Sequence, residues 1–348
     1  MKNSELFELR KKVGNLNSLF GITDYVLNDG PGKGVRIFDV RNGNGLELHI
    51  AADRGLDIPQ LSFHGINMGF CSKVGMRHPS FYAEDGVRGF LKQFNAGMLT
   101  TCGITYAGSP GEDEGRKLGL HGPYDNTPAQ GVAAYQACNG DEILLKVAGS
   151  VKETCVFEEH MRLDRVITVS TECNQIAIHD TVTNLGFADT PLMLVYHVNF
   201  GYPMLDEGAE VYTNAASIIP RDGIAAKGLH QSDAIEQPTI GREEECFMHS
   251  DFAGPQASAM LYNKKLGIAG IVSFDAEAFP ILCQWKCMRA GDYALGLEPT
   301  MAGVENRSVA RKEGRLTMLK PGKTKAFDIR LRFIDDKEQI AGIIREMQ

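Results

Sequence analysis

"RLDRVITVSTECNQIAIHDTVTNLG" (residues 162–186) decides the fold class. Residues 166–171 and 175–183 are rich in Val, Ile and Thr, whose branched side chains suit a pleated surface better than a helix. Glu172-Cys173-Asn174 separates the two runs, and Asn184-Leu185-Gly186 closes the second with a turn signal. Two adjacent strands are expected here. Working outward, "GLELHIAAD" (45–53) alternates through Leu46, Leu48 and Ile50, and "LGIAGIVSF" (266–274), "DYALGLEP" (292–299) and "KTKAFDIRLRFI" (323–334) read as further strands.

Strand-like runs with turns at short intervals indicate a sandwich or barrel. Helical signals are confined to 3–15, where Ser4 is a candidate N-cap, and to 335–347. No strand–helix alternation, internal repeat, low-complexity tract or linker is present, which disfavours a doubly wound or TIM architecture. "SPGEDEGRKLG" (109–119) reads as a surface loop. "GPGKG" (30–34) lacks the spacing and ending of a phosphate loop and reads as a hairpin turn. The expectation is an all-β protein: one large antiparallel β-sandwich domain over residues 1–348, with a few short peripheral helices.

The 348 residues are 43% hydrophobic and 23% charged, enough for a large core, and the net charge of −8 disfavours nucleic acid or anionic membrane as partner. Lys73, Arg77, Arg88 and Lys92 make a locally basic stretch, interrupted by Glu84 and Asp85. The N-terminus has charges where a signal peptide carries its apolar core, and no apolar run approaches the ~18 residues of a membrane span, so a cytoplasmic location is expected. Of eight cysteines only Cys283 and Cys287 lie close together, with neither redox nor zinc spacing. Free, mostly buried thiols in a reducing compartment are expected, and no metal site.

Candidate chemistry begins at "LMLVYHVNFGYP" (192–203). In a strand, His197 and Asn199 share a face with Met193 and Val195. A polar pair there is either a satisfied structural feature or part of a ligand site. Glu298 in "YALGLEPT" shares its face with Ala294 and Gly296, which leave space beside a carboxylate that would be costly to bury alone. The alternative is a solvated strand end. His121 lies between the glycines of "LGLHGPYDN" and could simply be a turn residue. Arg54 in "AADRGLDIPQ" could clamp an oxygen-rich ligand or pair with Asp53 or Asp57. Trp285, the single tryptophan, serves either the core or as an aromatic wall beside a sugar.

"HDTVTNLG" (179–186) followed by "PLMLVYHVNFGYPML" (191–205) resembles aldose 1-epimerases of the galactose-mutarotase-like superfamily. "LHG" (120–122) is similar to that family's first histidine motif, "LGLEPTMAGVENR" (295–307) to its catalytic-glutamate segment, and "LKPGKTKAFDIRLRF" (319–333) to its terminal strands. "GLELHIAADRGLDIPQLSFHGINMGF" (45–70) and "TTCGITYAGSP" (100–110) look like a bacterial branch of the same superfamily. The resemblance spans nearly the whole chain and implies a β-sandwich with a sugar cleft on one concave face. It implies Glu298 as general base on the anomeric hydroxyl and His197 as general acid on the ring oxygen. His121 and Arg54 would hold the ring oxygen and hydroxyls, with Asn199 and Trp285 as further sugar contacts. Two proton transfers between oxygens near neutral pH suit a carboxylate and an imidazole. No cofactor is required.

Classical galactose mutarotases also carry a mid-chain acidic ligand, for which Asp206 is the candidate here. "YHVNFGYP" differs from the common "NHSYFNL" pattern, so the sugar need not be galactose. Arg77, Arg88 and Lys92 either favour an acidic sugar or form a solvated loop. The expected partner is a small-molecule sugar, with homodimerisation left open. The leading reading is a mutarotase that interconverts α and β anomers. Its rivals are a non-catalytic sugar-binding or sensing protein on the same fold and, last, a glycoside-cleaving enzyme, which would need two carboxylates about 5–10 Å apart.

Overall fold

The paired runs at 162–186 extend beyond their sequence signature. Strands His160–Ser170 and Gln175–Asn184 form a long antiparallel hairpin with Val166 opposite His179. The computed structural model describes residues 1–347. The hairpin is the middle of an eight-stranded sheet ordered Gln130–Asn139, Glu142–Thr154, His160–Ser170, Gln175–Asn184, Thr324–Ile334, Ile268–Asp275, Gln256–Asn263 and Glu210–Thr213.

The second sheet has eleven strands. Its path runs Gly21–Val26, Arg36–Arg41, Leu46–Ala51, Asp57–Phe63, Leu99–Cys102, Val195–Phe200, Asp292–Thr300, Ile281–Arg289, Glu245–Phe252 and Ala215–Pro220, with Ile66–Asn67 beside Asp57–Phe63. The ladders of both sheets are antiparallel, and one hydrophobic cluster from Phe20 to Phe333 lies between them. This is the expected sandwich.

Period-2 alternation dictates which side chains enter that core. His160–Ser170 sends in Met161, Leu163, Ile167 and Val169, and the same period carries Arg165 inward. Its guanidinium bonds Asp180 from Nε (2.9 Å) and Nη2 (2.7 Å), and reaches Asp57 (2.9 Å) and Thr101 (2.9 Å) in the opposite sheet. Tyr196 donates to Asp180 at 2.5 Å. Charges this deep persist because each is paired and hydrogen-bonded.

Strand Val195–Phe200 is buried on both sides. Tyr196, Val198 and Phe200 face the core, while Met193 and Val195 pack on the outer face against Phe90 of helix Gly86–Leu91 and Phe94 just after it. The outer face is therefore roofed, and His197 and Asn199 project beneath the roof.

Several local expectations are corrected. The N-terminal helix is a single turn and a half, Leu6–Arg10, and Ser4 bonds Asp141 instead of capping it. Residues 109–119 hold a hairpin, Gly111–Asp113 with Arg116–Leu118, whose Asp113 is fixed by Arg307 and Arg311. Short helices also occur at Gly223–Gly228 and Arg307–Lys312. All eight cysteines are free thiols, but Cys71, Cys138, Cys155 and Cys173 are exposed, so burial holds for only four. Among the described residues no helix is long and apolar enough to cross a membrane.

Candidate active site

Three neighbouring strands of the larger sheet assemble the site. The register fixed by Val195 opposite Thr300 and Val198 opposite Leu297 sets His197 across from Glu298, and Glu298 in turn lies opposite Cys283. The next row holds Asn199, Gly296, Trp285 and Cys246. His197 Nε2 lies 3.3 Å from Glu298 Oε1, although the two residues are only 5% and 2% exposed. Gly296 makes this possible: a Cβ there would come within 2.3 Å of Glu298 Oε1. Alternation explains the rest, since Leu295 and Leu297 enter the main core while Glu298 turns to the roofed face.

His121 arrives from a loop and completes the group, its ring 5.7 Å from that of His197. Its φ of +60° is a left-handed conformation seldom taken by residues with a side chain, the kind of local strain that clusters at functional sites. Gly122 follows with φ +78°, where a Cβ would meet the carbonyl oxygens of Tyr106 and Gly103. Gly108 N–H donates to His121 Nδ1 at 3.3 Å, which leaves the proton of the neutral ring on Nε2. Trp285 stands edge-on to His197 at 5.4 Å, and Phe94 lies 5.2 Å from the same imidazole.

Electrostatics set this group apart. Burial, reinforced by His121, pushes His197 down to about 3, and burial pushes His121 down to about 4. Burial pushes Glu298 well above the usual carboxylate range, and the nearby Cys246 and Glu244 add to it. Burial thus disfavours the charged form of both partners, and with His197 neutral the contact is not an ion pair. His197 Nδ1, Asn199 Oδ1 and Glu298 Oε1 are buried without a hydrogen-bond partner. Unmet buried polar atoms are costly, and together they mark where a ligand's hydroxyls would complete the network.

His197 and Glu298, though not Asn199, line a cavity of about 290 Å³ with Phe90, Phe94, Leu120, Arg221, Glu244 and Cys246. His121, His197, Trp285 and Glu298 lie together on this cavity, and Asn199 sits in the next row, its amide donating to the His197 carbonyl. Two expected ligands are elsewhere. Arg54 spends its donors on Asp125, Arg77 O and Gln93 O, a buried salt bridge to a partner other than Asp53 or Asp57. Asp206 bonds Lys265 on the surface.

The acidic residue that does enter the cavity is Glu244, which sequence reasoning missed. It accepts from Trp285 Nε1 at 2.8 Å and pairs with Arg221 at 3.3 Å. Arg221 also donates to Cys246 Sγ at 2.9 Å. Arg77, Arg88 and Lys92 do not line the cavity; from their segment it is Val87, Phe90 and Leu91 that do. Among the described residues no three His, Cys, Asp or Glu side chains converge as metal ligands would.

The fold has known counterparts. The chain is 27% identical to a "putative aldose 1-epimerase" of Klebsiella pneumoniae known from a crystal structure, with a TM-score of 0.89 over 96% of this chain and 90% of that one. A galactose mutarotase-like protein from Clostridium acetobutylicum superposes with a TM-score of 0.62 at 15% identity, covering 92% of this chain and 100% of that one. A galactose 1-epimerase from Lactobacillus acidophilus gives 0.59 at 14%, over 90% and 99%. At these identities the last two establish the fold alone. No curated protein sequence matches the chain. The model of a family described only as a domain of unknown function, DUF4432, matches residues 32–333, and the chain belongs to that family, on a galactose-mutarotase-like β-sandwich.

Proposed function

We propose that the chain is an aldose mutarotase, which interconverts the α and β anomers of a sugar by opening and reclosing its ring. The observation that carries this is the buried His197 Nε2–Glu298 Oε1 contact of 3.3 Å at the floor of a cleft, with both groups lacking other partners. Opening the ring needs one proton removed from the anomeric hydroxyl and one delivered to the ring oxygen. The bond between anomeric carbon and ring oxygen breaks as the carbonyl forms. Rotation of the aldehyde and the reverse transfers give the other anomer.

Burial favours the pair's proton on Glu298 over His197. Sugar hydroxyls donating to Oε1 stabilise the carboxylate, and the proton passes to His197 across the existing contact. Glu298 then takes the anomeric proton, and the imidazolium protonates the ring oxygen. His121, neutral with its proton on Nε2, donates to the sugar and withholds a competing positive charge. Trp285 and Phe94 wall the site against water, which strengthens each polar contact inside it.

A protein that only bound the sugar would not require two proton-exchanging groups in contact, and the 3.3 Å separation favours turnover over sensing. Glu244 is committed to Arg221 and Trp285, an arrangement suited to holding hydroxyls and not to protonating a glycosidic oxygen. The test is exchange NMR of anomeric protons across a panel of neutral, acidic and phosphorylated aldoses. Accelerated exchange for at least one sugar is expected. Binding without acceleration across the panel would replace this reading with the sensor.

A further inference from the structure

The cleft continues past Trp285. A second cavity, about 430 Å³, shares Leu91, Phe94, Glu244 and Trp285 with the inner one, so the two are joined around the indole. Strand Ile281–Arg289 explains the continuity. Cys283, Trp285, Cys287 and Arg289 alternate onto one face, and the six steps from first to last, at a rise of about 3.3 Å, make a track of roughly 20 Å. The track begins at Cys283, opposite Glu298, and ends at Arg289, opposite Asp292. Cys283 lines only the inner cavity, Cys287 and Arg289 only the outer, and Trp285 both.

The outer cavity has the composition of a neutral polyol site. Its floor is apolar, from Val74, Leu91 and Phe94. Its charged groups balance in sign: Lys73 and Arg289 against Glu244 and Asp292, with Lys73 Nζ 2.8 Å from Asp292. Balanced donors and acceptors suit hydroxyl groups and give no excess field for a phosphate or carboxylate. Glu244 holds the Trp285 Nε1–H at 2.8 Å, which fixes the indole as a rigid divider between the chambers.

We infer that the outer cavity is a second saccharide subsite, and that the substrate is a neutral disaccharide or longer saccharide. Its reducing-end ring enters the inner cavity beside His197 and Glu298, and the next ring rests against the outer side of Trp285 within reach of Lys73, Arg289 and Asp292. This rests on the mutarotase reading for the inner chamber, but its test does not require turnover.

Trp285 is the only tryptophan, so its fluorescence reports sugar binding at this place alone. The probes are glucose, galactose, maltose, cellobiose, β-1,4-galactobiose and glucose 6-phosphate, titrated against the full chain. At least one disaccharide is expected to bind about tenfold more tightly than its own reducing-end monosaccharide, equivalent to ~1.4 kcal/mol. Lys73→Ala and Arg289→Ala, both on the outer cavity, should remove that advantage and leave monosaccharide affinity unchanged. Equal affinity for single and double rings, equal weakening of both by the variants, tightest binding of glucose 6-phosphate, or no response to any probe would each overturn the subsite. If the disaccharide preference holds while exchange NMR shows no acceleration for any sugar, the subsite stands and the mutarotase reading falls.

Discussion

Strand Val195–Phe200 carries two buried polar arrangements, one on each face. Tyr196 points between the sheets to the Arg165–Asp180–Asp57 cluster, in which every side-chain nitrogen and oxygen of these residues has a partner. His197 points the other way to Glu298, and there Nδ1, Oε1 and the neighbouring Asn199 Oδ1 have none. Backbone, depth and burial are nearly the same; satisfaction differs. The protein completes the first arrangement itself, and it serves cohesion. On the mutarotase proposal, the second is left for a sugar to complete, and local stability is given up for chemistry.

The largest effect that would sharpen this contrast is on turnover. Glu298→Gln is expected to slow anomer exchange by about 10²–10⁴-fold, the range for losing a general acid–base group, with sugar-induced Trp285 fluorescence retained. Loss of both binding and fold would make Glu298 structural. Across the strand the expectation inverts. Arg165→Met strands Asp180 and Asp57 and should cost about 3–5 kcal/mol in urea unfolding, while any surviving folded protein keeps its exchange rate. Tyr196→Phe removes one hydrogen bond to a charged acceptor and should cost about 1.5–3 kcal/mol. A comparable loss from Glu298→Gln would erase the distinction between the faces.

The smallest predicted effects are matters of sign. Glu298 is raised when folded, so the native state holds its proton more tightly and the group lowers stability as pH rises above its unfolded value of 4.5. Glu298→Gln should therefore be more stable than the parent at pH 7, with the difference vanishing below pH 4.5. His121 and His197 are lowered, to about 4 and about 3 from 6.5, so the unfolded chain binds their protons first and stability falls as pH drops from 6.5 towards 3. A His121→Gln/His197→Gln double variant should flatten that limb of a Tm-against-pH curve. An unchanged slope would show that other groups govern it.

Much of the sandwich was legible because period-2 alternation is a local property, and the same alternation aimed His197 and Glu298 at one face. His121 was marked by its flanking glycines, Trp285 by being unique. The errors come from contacts that local spacing does not encode. Arg54 meets Asp125, 71 residues away, and a strand-end arginine carries no sign of that partner. Glu244 sits in the run "REEEC", which reads as a solvated acidic face, and only the pairing of Cys246 with Trp285 brings it to the cleft. In and just after 73–92 the basic residues are the conspicuous feature, whereas the stacked Phe90 and Phe94 form the roof. Arg165 and Asp180 occupy apolar-period positions of the opening stretch, an anomaly legible in the sequence itself.

The doubled chemistry of Val195–Phe200 has a consequence for folding fidelity. Sliding the strand by one residue against its neighbours would exchange its faces. The imidazole would then enter the ion cluster, and the phenol would sit under the roof with its partner carboxylate on the far side. Each misplacement strands a buried polar group, so the mispaired sheet is penalised twice at a single step. In an ordinary core strand, where one aliphatic side chain substitutes passably for the next, such a slip is cheap. Here the alignment that creates the cleft is proofread by the side of the strand that never touches it.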